Sequence, residues 1–201
     1  KGRLDKMENE SNLIHEALEF AAKAHRTQVR KGTDIPYIVH PMEAALILTQ
    51  ANASASLIAA ALLHDTLEDT NTTEQELEDI FGETVVNFVR YMTENDDLDW
   101  LENRQHSIEM LGASSREEMM LFLADKLANL RSIAADYSEI GDKLWDRFNK
   151  GYEDQKWYYT SIAKRLPPLS DVAGYHEYVL LVDKVFPPHP IARACITAHQ
   201  N

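Results

Sequence analysis

Cysteine is nearly absent. Of 201 residues only Cys195 carries a thiol, so no internal disulfide can form and no paired-cysteine zinc motif exists. Both absences fit a reducing cytoplasm, and Cys195, among small apolar residues of the tail, reads as chemically idle. Long apolar runs are missing too. The longest, Ser56 to Leu63, falls far short of the ~20 residues that span a bilayer, and it runs straight into His64 and Asp65. The N-terminus is charged and lacks the apolar segment of a signal peptide. Positive charge is scarce: 20 Lys and Arg stand against 33 Asp and Glu, for a formal net charge of −13. That balance excludes a general nucleic-acid binder, which wants the opposite sign. A phosphate-ester ligand would have to be attracted locally, by a metal ion and a few basic side chains. Strand-like alternation, internal repeats and low-complexity tracts are absent as well.

What is present is one helical pattern after another. Leu13, Ala17, Phe20, Ala21 and Ala24 place a helix over Asn12 to Val29, and Gly32 and Pro36 interrupt the pattern. Pro41 suits the first turn of a helix running to about Gln50, with His40 just before it. Ala55 to Glu68 is predicted as a third, nearly all-apolar helix at the centre of the core. Thr73 and Glu76 form a capping-box pattern for a helix stopped by Gly82. Glu83 to Met92 and Trp100 to Leu111 are the next two. Ser114 or Ser115 caps a helix through Ala135, a long one follows from Gly141 or Asp142 to Leu166, and Ser170 to Phe186 holds one more. The tail from Pro187 reads as a surface strap or a short final helix. Lys1 to Lys6, before Met7, read as an expression scar. Residues 1–9 are therefore set apart as an N-terminal extension to one all-α domain over 10–201.

Three stretches carry polar groups suited to metal chemistry: Tyr37-Ile-Val-His40, His64-Asp65 and Ala124-Asp125-Lys126. His64 and Asp65 end the apolar run Ala59 to Leu63, and Asp125 follows Leu121-Phe-Leu-Ala124. Polar groups at such junctions must be paired, solvated or coordinated, because burying them bare costs several kcal/mol, roughly 2–7 for a neutral group. A lone histidine there is usually a hydrogen-bonded structural residue. Three such junctions together say more.

These residues resemble a known family. His40, His64-Asp65 and Asp125 are similar to the signature of the HD superfamily of metal-dependent phosphohydrolases. The blocks Val29-Arg-Lys31, Pro36-Tyr-Ile-Val-His-Pro41, His64-Asp-Thr-Leu-Glu-Asp-Thr70 and Leu123-Ala-Asp-Lys-Leu-Ala-Asn-Leu-Arg131 resemble the alarmone hydrolase domains of the RelA/SpoT group, over roughly residues 10 to 166. The resemblance implies a single-domain HD-type helical bundle in which His40, His64, Asp65 and Asp125 hold one divalent ion, Mn²⁺. Two imidazoles and two carboxylates suit that ion. It implies that Glu68 and Asp69 orient and activate the attacking water, a role open to carboxylates beside a metal. A continuing helix would place Glu68 four residues after His64, on the same face. It further implies that Arg30 and Lys31 approach base and phosphates and that Asn129 reaches the ribose edge. Tyr37 is placed beside the pocket or in the core. On the late helix Lys150, Tyr152, Lys156 and Tyr159 are weaker candidates for binding pyrophosphate. Trp145 and Trp157 are expected in the core, and His15, His25, His106, His176, His189 and His199 as structural or surface residues.

The activity implied is hydrolysis of guanosine 3′,5′-bis(diphosphate) or its pentaphosphate relative to GDP or GTP and pyrophosphate, by a small stand-alone enzyme. Other nucleotides are the alternative: adenosine alarmones, or the 2′-phosphate of NADPH. A catalytically dead nucleotide sensor is a third reading, against which all four ligands and both carboxylates are present. The expected partner is a small-molecule nucleotide, with no nucleic acid and no membrane. A homo-oligomer and functional pairing with an alarmone synthetase are left open. The acidic stretch Thr93 to Trp100 stands where a phosphate-binding lid would offer lysine, and it would narrow substrate choice if it borders the pocket.

Overall fold

The computed structural model describes residues 2–187. Cys195, His189, His199 and the expected strap or final helix lie outside the described residues. Ten α-helices follow in order: α1 (Gly2–Ala24), α2 (Val39–Gln50), α3 (Ala55–Leu63), α4 (Thr66–Asp69), α5 (Glu74–Phe81), α6 (Glu83–Met92), α7 (Trp100–Met110), α8 (Arg116–Ile140), α9 (Tyr152–Ala163) and α10 (Tyr175–Val185). Among the described residues there is no strand, only an isolated bridge between Val29 and Pro36, so the fold is all-α. No described helix is long and apolar enough to cross a membrane.

Helix α3 is the centre, as its composition demands. Every residue from Leu57 to Leu63 is buried, and α1, α2, α6 and α8 all pack on it. Each large apolar side chain buried there contributes roughly 1.5–3 kcal/mol. The expected helix to Glu68 does not continue unbroken. His64 Nδ1 donates to the Ala61 carbonyl at 2.8 Å, and Thr66 Oγ1 to that of Leu63 at 2.7 Å. Side chains thus take carbonyls that the next helical turn would use, and α3 ends at Leu63, with the one-turn α4 starting after Asp65.

Two other boundaries differ from expectation. Helix α1 spans Gly2 to Ala24, without a break at residue 10, rather than Asn12 to Val29. Beyond Ala24 the chain folds into a hairpin-like turn, with Tyr37 N donating to Gln28 O at 2.9 Å and Arg30 N to Ile35 O at 2.8 Å. Gly32 enters the left-handed region there, at φ 75°. Similarly, α8 runs on to Ile140, and the helix expected from Gly141 to Leu166 is split into a 3-10 segment, Gly141–Arg147, and α9. Packing overrides local propensity here: Trp145 is buried with its ring centroid 5.1 to 5.9 Å from those of Tyr137, Phe148, Tyr152 and Phe186. Trp157 is half-buried.

Arg131 on α8 ties three helices together. Its guanidinium grips Glu177 of α10 with two hydrogen bonds, 2.7 and 2.6 Å, and Glu43 of α2 at 3.1 Å. Gly174, at the start of α10 with φ 95°, lets that helix dock closely; a Cβ there would stand 3.0 Å from Leu127 Cδ2 and 3.4 Å from Ile47 Cγ2. Gly174→Ala is therefore expected to destabilise the protein by about 1–3 kcal/mol, seen as a fall of several degrees in Tm. An unchanged Tm would show that α10 docks without needing that contact.

Candidate metal centre and active site

The three junctions meet. His40 opens α2, His64 and Asp65 form the break after α3, and Asp125 lies in the middle of α8. His40 Nε2 stands 3.1 Å from Asp125 Oδ1 and 3.5 Å from Asp65 Oδ2, and His64 Nε2 stands 3.2 Å from Asp65 Oδ2 and 3.6 Å from Asp125 Oδ1. The donor atoms of His40, His64 and Asp65 all lie within 4.8 Å of one another. His40, His64 and Asp125 are buried. The His64 Nδ1 hydrogen bond to Ala61 O leaves Nε2 free to face the centre.

The donor set fits a divalent cation on this structure's own terms. His64 Nε2 is buried without a hydrogen-bond partner, and two carboxylates converge on it and on His40 Nε2. Burial opposes charge on Asp65, but His64 and His40 outweigh it and hold the carboxyl below its ordinary range. For Asp125 burial is likewise overcome, by Lys126, His40 and His64. Burial also disfavours a charged His64, yet Asp65 and Asp125 raise it to about 9. Cys-free donors of this kind suit a hard or borderline ion.

Around the four lies a supporting ring. Tyr37 Oη donates to Asp65 Oδ2 at 2.7 Å, Asn129 Nδ2 to Asp125 Oδ1 at 2.9 Å, and Lys126 Nζ pairs with Asp125 Oδ2 at 2.7 Å. Arg30 donates to Asn129 Oδ1 at 2.9 Å and lies over the Tyr37 ring at 5.8 Å, while Lys31 reaches Asn149 Oδ1 at 3.1 Å. The structure thus joins Arg30, Asn129 and Asp125 into one chain, with the Asn129 amide committed at both ends. Lys126 escaped sequence reasoning because neighbours on a helix point apart; its long stem lets the ammonium wrap back onto Asp125.

A cavity of about 520 Å³ opens beside the centre, lined by His40, Tyr37, Arg30, Lys31 and Asn129. Its ionised lining comprises five cations, Arg30, Lys31, Arg104, Lys126 and Arg147, against two carboxylates, Glu43 and Asp136. In a chain of net charge −13 this is a local excess of cations, of which Lys126, Arg104 and Arg147 are paired with Asp125, Glu94 and Asp136. Arg104 and Arg147 carried no sequence signal, being single cations on otherwise unremarked helical segments. From α9 the wall receives Gln155, Tyr158 and Tyr159. Lys150, Tyr152 and Lys156 do not line it: the Lys150 ammonium lies over Trp100, and that of Lys156 over Tyr152.

Glu68 and Asp69 face a neighbouring recess of about 770 Å³ together with Lys23, Arg26 and Gln28. A Glu68 carboxylate oxygen accepts the Glu94 backbone N–H, and the Glu94 side chain pairs with Arg104 of the cavity wall. Partial burial, helped by the nearby Glu94 and Asp65 charges, pushes the Glu68 carboxyl up to about 7. Partial loss of water around its carboxyl, with the nearby Asp65 charge, likewise raises Asp69. Two charges of the acidic stretch after α6 are used locally, Glu94 on Arg104 and Asp99 as the cap of α7, while Asp96 and Asp97 are exposed. Only Trp100 from it reaches the cavity. Of the unassigned histidines, His25 is buried, whereas His15, His106 and His176 are exposed.

A helical bundle that gathers two histidines and two aspartates in this way has the architecture of an HD hydrolase. The family model of the HD domain matches residues 17–148, and the chain belongs to that family. Within it the chain is 41% identical over 130 residues to guanosine-3′,5′-bis(diphosphate) 3′-pyrophosphohydrolase MESH1 of Xenopus tropicalis, covering 63% of this chain and 73% of that one. A solved structure from Listeria monocytogenes EGD-e superposes with a TM-score of 0.70 at 36% identity, over 74% of this chain and 99% of the other. Another, described as a metazoan ortholog of SpoT that hydrolyzes ppGpp, gives 0.68 at 29% identity, over 87% and 93%.

Proposed function

We propose that this chain is a small alarmone hydrolase that removes the 3′-pyrophosphate of guanosine 3′,5′-bis(diphosphate), or of its pentaphosphate relative, to leave GDP or GTP. Its resident ion is Mn²⁺, held by His40, His64, Asp65 and Asp125. The observation that carries the reading is the placement of this donor set at the edge of a cavity whose lining has five cations to two carboxylates. The cavity's size is that of a nucleotide site, and the activity of the named relatives agrees.

When bound, the ion supplies positive charge that polarises the phosphate and acidifies water. The remaining work falls to side chains. Arg30 and Lys31 bind the polyanion at the mouth, Arg30 offering a planar face to the base. Lys126 keeps Asp125 ionised and Tyr37 orients Asp65. Glu68, with Asp69, takes the proton of the attacking water as its oxygen bonds to the phosphorus carried on the ribose 3′-oxygen. The bond from that phosphorus to the 3′-oxygen breaks, pyrophosphate is released, and the 3′-oxygen leaves as a hydroxyl after taking up the proton that Glu68 passes on through solvent.

Incubation with Mn²⁺ and each of guanosine tetraphosphate, guanosine pentaphosphate, the adenosine analogue and NADPH tests this. Pyrophosphate release from the guanosine alarmones, abolished by chelator, is expected. Orthophosphate from NADPH with no pyrophosphate from any alarmone would overturn it. Acidity supplies a second check. Glu68 works only when ionised, so kcat should fall as pH drops through about 7. A cation nearby favours the carboxylate and moves that limb lower. A profile flat from pH 5 to 8 would remove Glu68 from the role.

A further inference from the structure

Helix α4 is four residues long, far too short to hold itself together, yet it carries both carboxylates assigned to water activation. Something outside must fix it. Its last residue, Asp69, offers its carbonyl oxygen to Gln28 Nε2, from the turn after α1. A carbonyl only accepts, so the Gln28 amide has one orientation: its Oε1 faces His25 Nδ1 and accepts from it. His25 therefore carries its proton on Nδ1. The ring is 2% exposed and lies 4.9 Å from that of Tyr37, at 36°. Tyr37 gives its backbone N–H to Gln28 O at 2.9 Å and its hydroxyl to Asp65 Oδ2 at 2.7 Å. The contacts close a circuit from Asp65 through Tyr37, His25 and Gln28 to Asp69.

We propose that His25 and Gln28 are positioning residues that hold Asp69, and with it the turn bearing Glu68, in register with Asp65. The inference rests on the alarmone-hydrolase reading for what the turn does, and on the contacts above for how it is held. The circuit explains why a buried histidine, matching no ligand position, stands beside the centre. It also separates positioning from stability. Gln28 is only half-buried and Asp69 is exposed, so water can replace their lost bond at a cost of about 1 kcal/mol or less, while α4 frays.

Gln28→Met keeps the side-chain length and removes both hydrogen bonds; His25→Phe keeps a ring on Tyr37 and removes the donor. With guanosine tetraphosphate and Mn²⁺, Gln28→Met is expected to lower kcat by roughly 10–100-fold, with KM and the Mn²⁺ Kd within about threefold of the parent. Tm should stay near that of the parent, and His25→Phe should move kcat in the same direction. Hydrogen exchange should quicken at the Asp69 amide, which bonds to Asp65 O at 2.9 Å. Unchanged kcat, or a loss that merely follows Tm or the Mn²⁺ Kd, would overturn the proposal. If the parent protein releases no pyrophosphate, the alarmone reading fails on its own. Exchange at Asp69 then decides the brace: acceleration keeps it, and none removes it.

Discussion

His64→Ala is expected to abolish pyrophosphate release and Mn²⁺ binding together. The imidazole has no substitute: Nδ1 is anchored on Ala61 O, and Nε2 lies 3.2 Å from Asp65 and 3.6 Å from Asp125 without a hydrogen-bond partner of its own. Removing it leaves three donors, with the half-buried Asp65 and the buried Asp125 in a site that has lost one imidazole. The acidification of water by a bound cation spans several pKa units, so activity should fall by at least about a thousandfold. Mn²⁺ titration followed by electron paramagnetic resonance reads the binding directly. Because the variant also loses a buried hydrogen bond, Asp125→Asn serves beside it, keeping the volume while removing one charge. Activity retained at even a tenth of the parent level in both would sink the proposed ligand set.

Glu68→Gln should behave differently: turnover falls by roughly 10²–10⁴-fold while Mn²⁺ binds with its parent affinity. The substitution is clean, because a glutamine oxygen can still accept the Glu94 N–H that the carboxylate accepts now. Only the capacity to take a proton disappears. Single-turnover measurements would place the loss in the chemical step, with KM little altered. Loss of the metal as well would move Glu68 into the ligand set and demand a different proton acceptor.

How much of this is legible in the sequence depends on the range of each interaction. His64, Asp65 and Asp125 announce themselves locally, because each ends an apolar run that must be buried. The caps at Thr73 and Ser115 are equally local, and α5 and α8 start there. The break after Leu63 was not legible. It arises from side-chain bonds by His64 and Thr66 that compete with a helix every local preference supports. The split of the late helix has the same character, since it depends on where Trp145 finds its aromatic neighbours. Arg104 is the clearest case among site residues: its partners are Glu94, Trp100 and Tyr158, and nothing in its own segment marks it as part of a cavity wall. No spacing rule brought His40 and Asp125 together either; the family resemblance supplied that pairing, and the packing of α2 on α8 accounts for it.

The Arg131 clip makes the boundary of a family differ from the boundary of a working machine. The HD match ends at residue 148, but α2 and α8, which carry His40 and Asp125, are fastened through Arg131 to Glu177, well past that point. The two helices that carry His40 and Asp125 are here tied to a C-terminal helix beyond the family match. An excised version stopping at residue 148 would inherit the four ligands but lose the Glu177 half of that fastening.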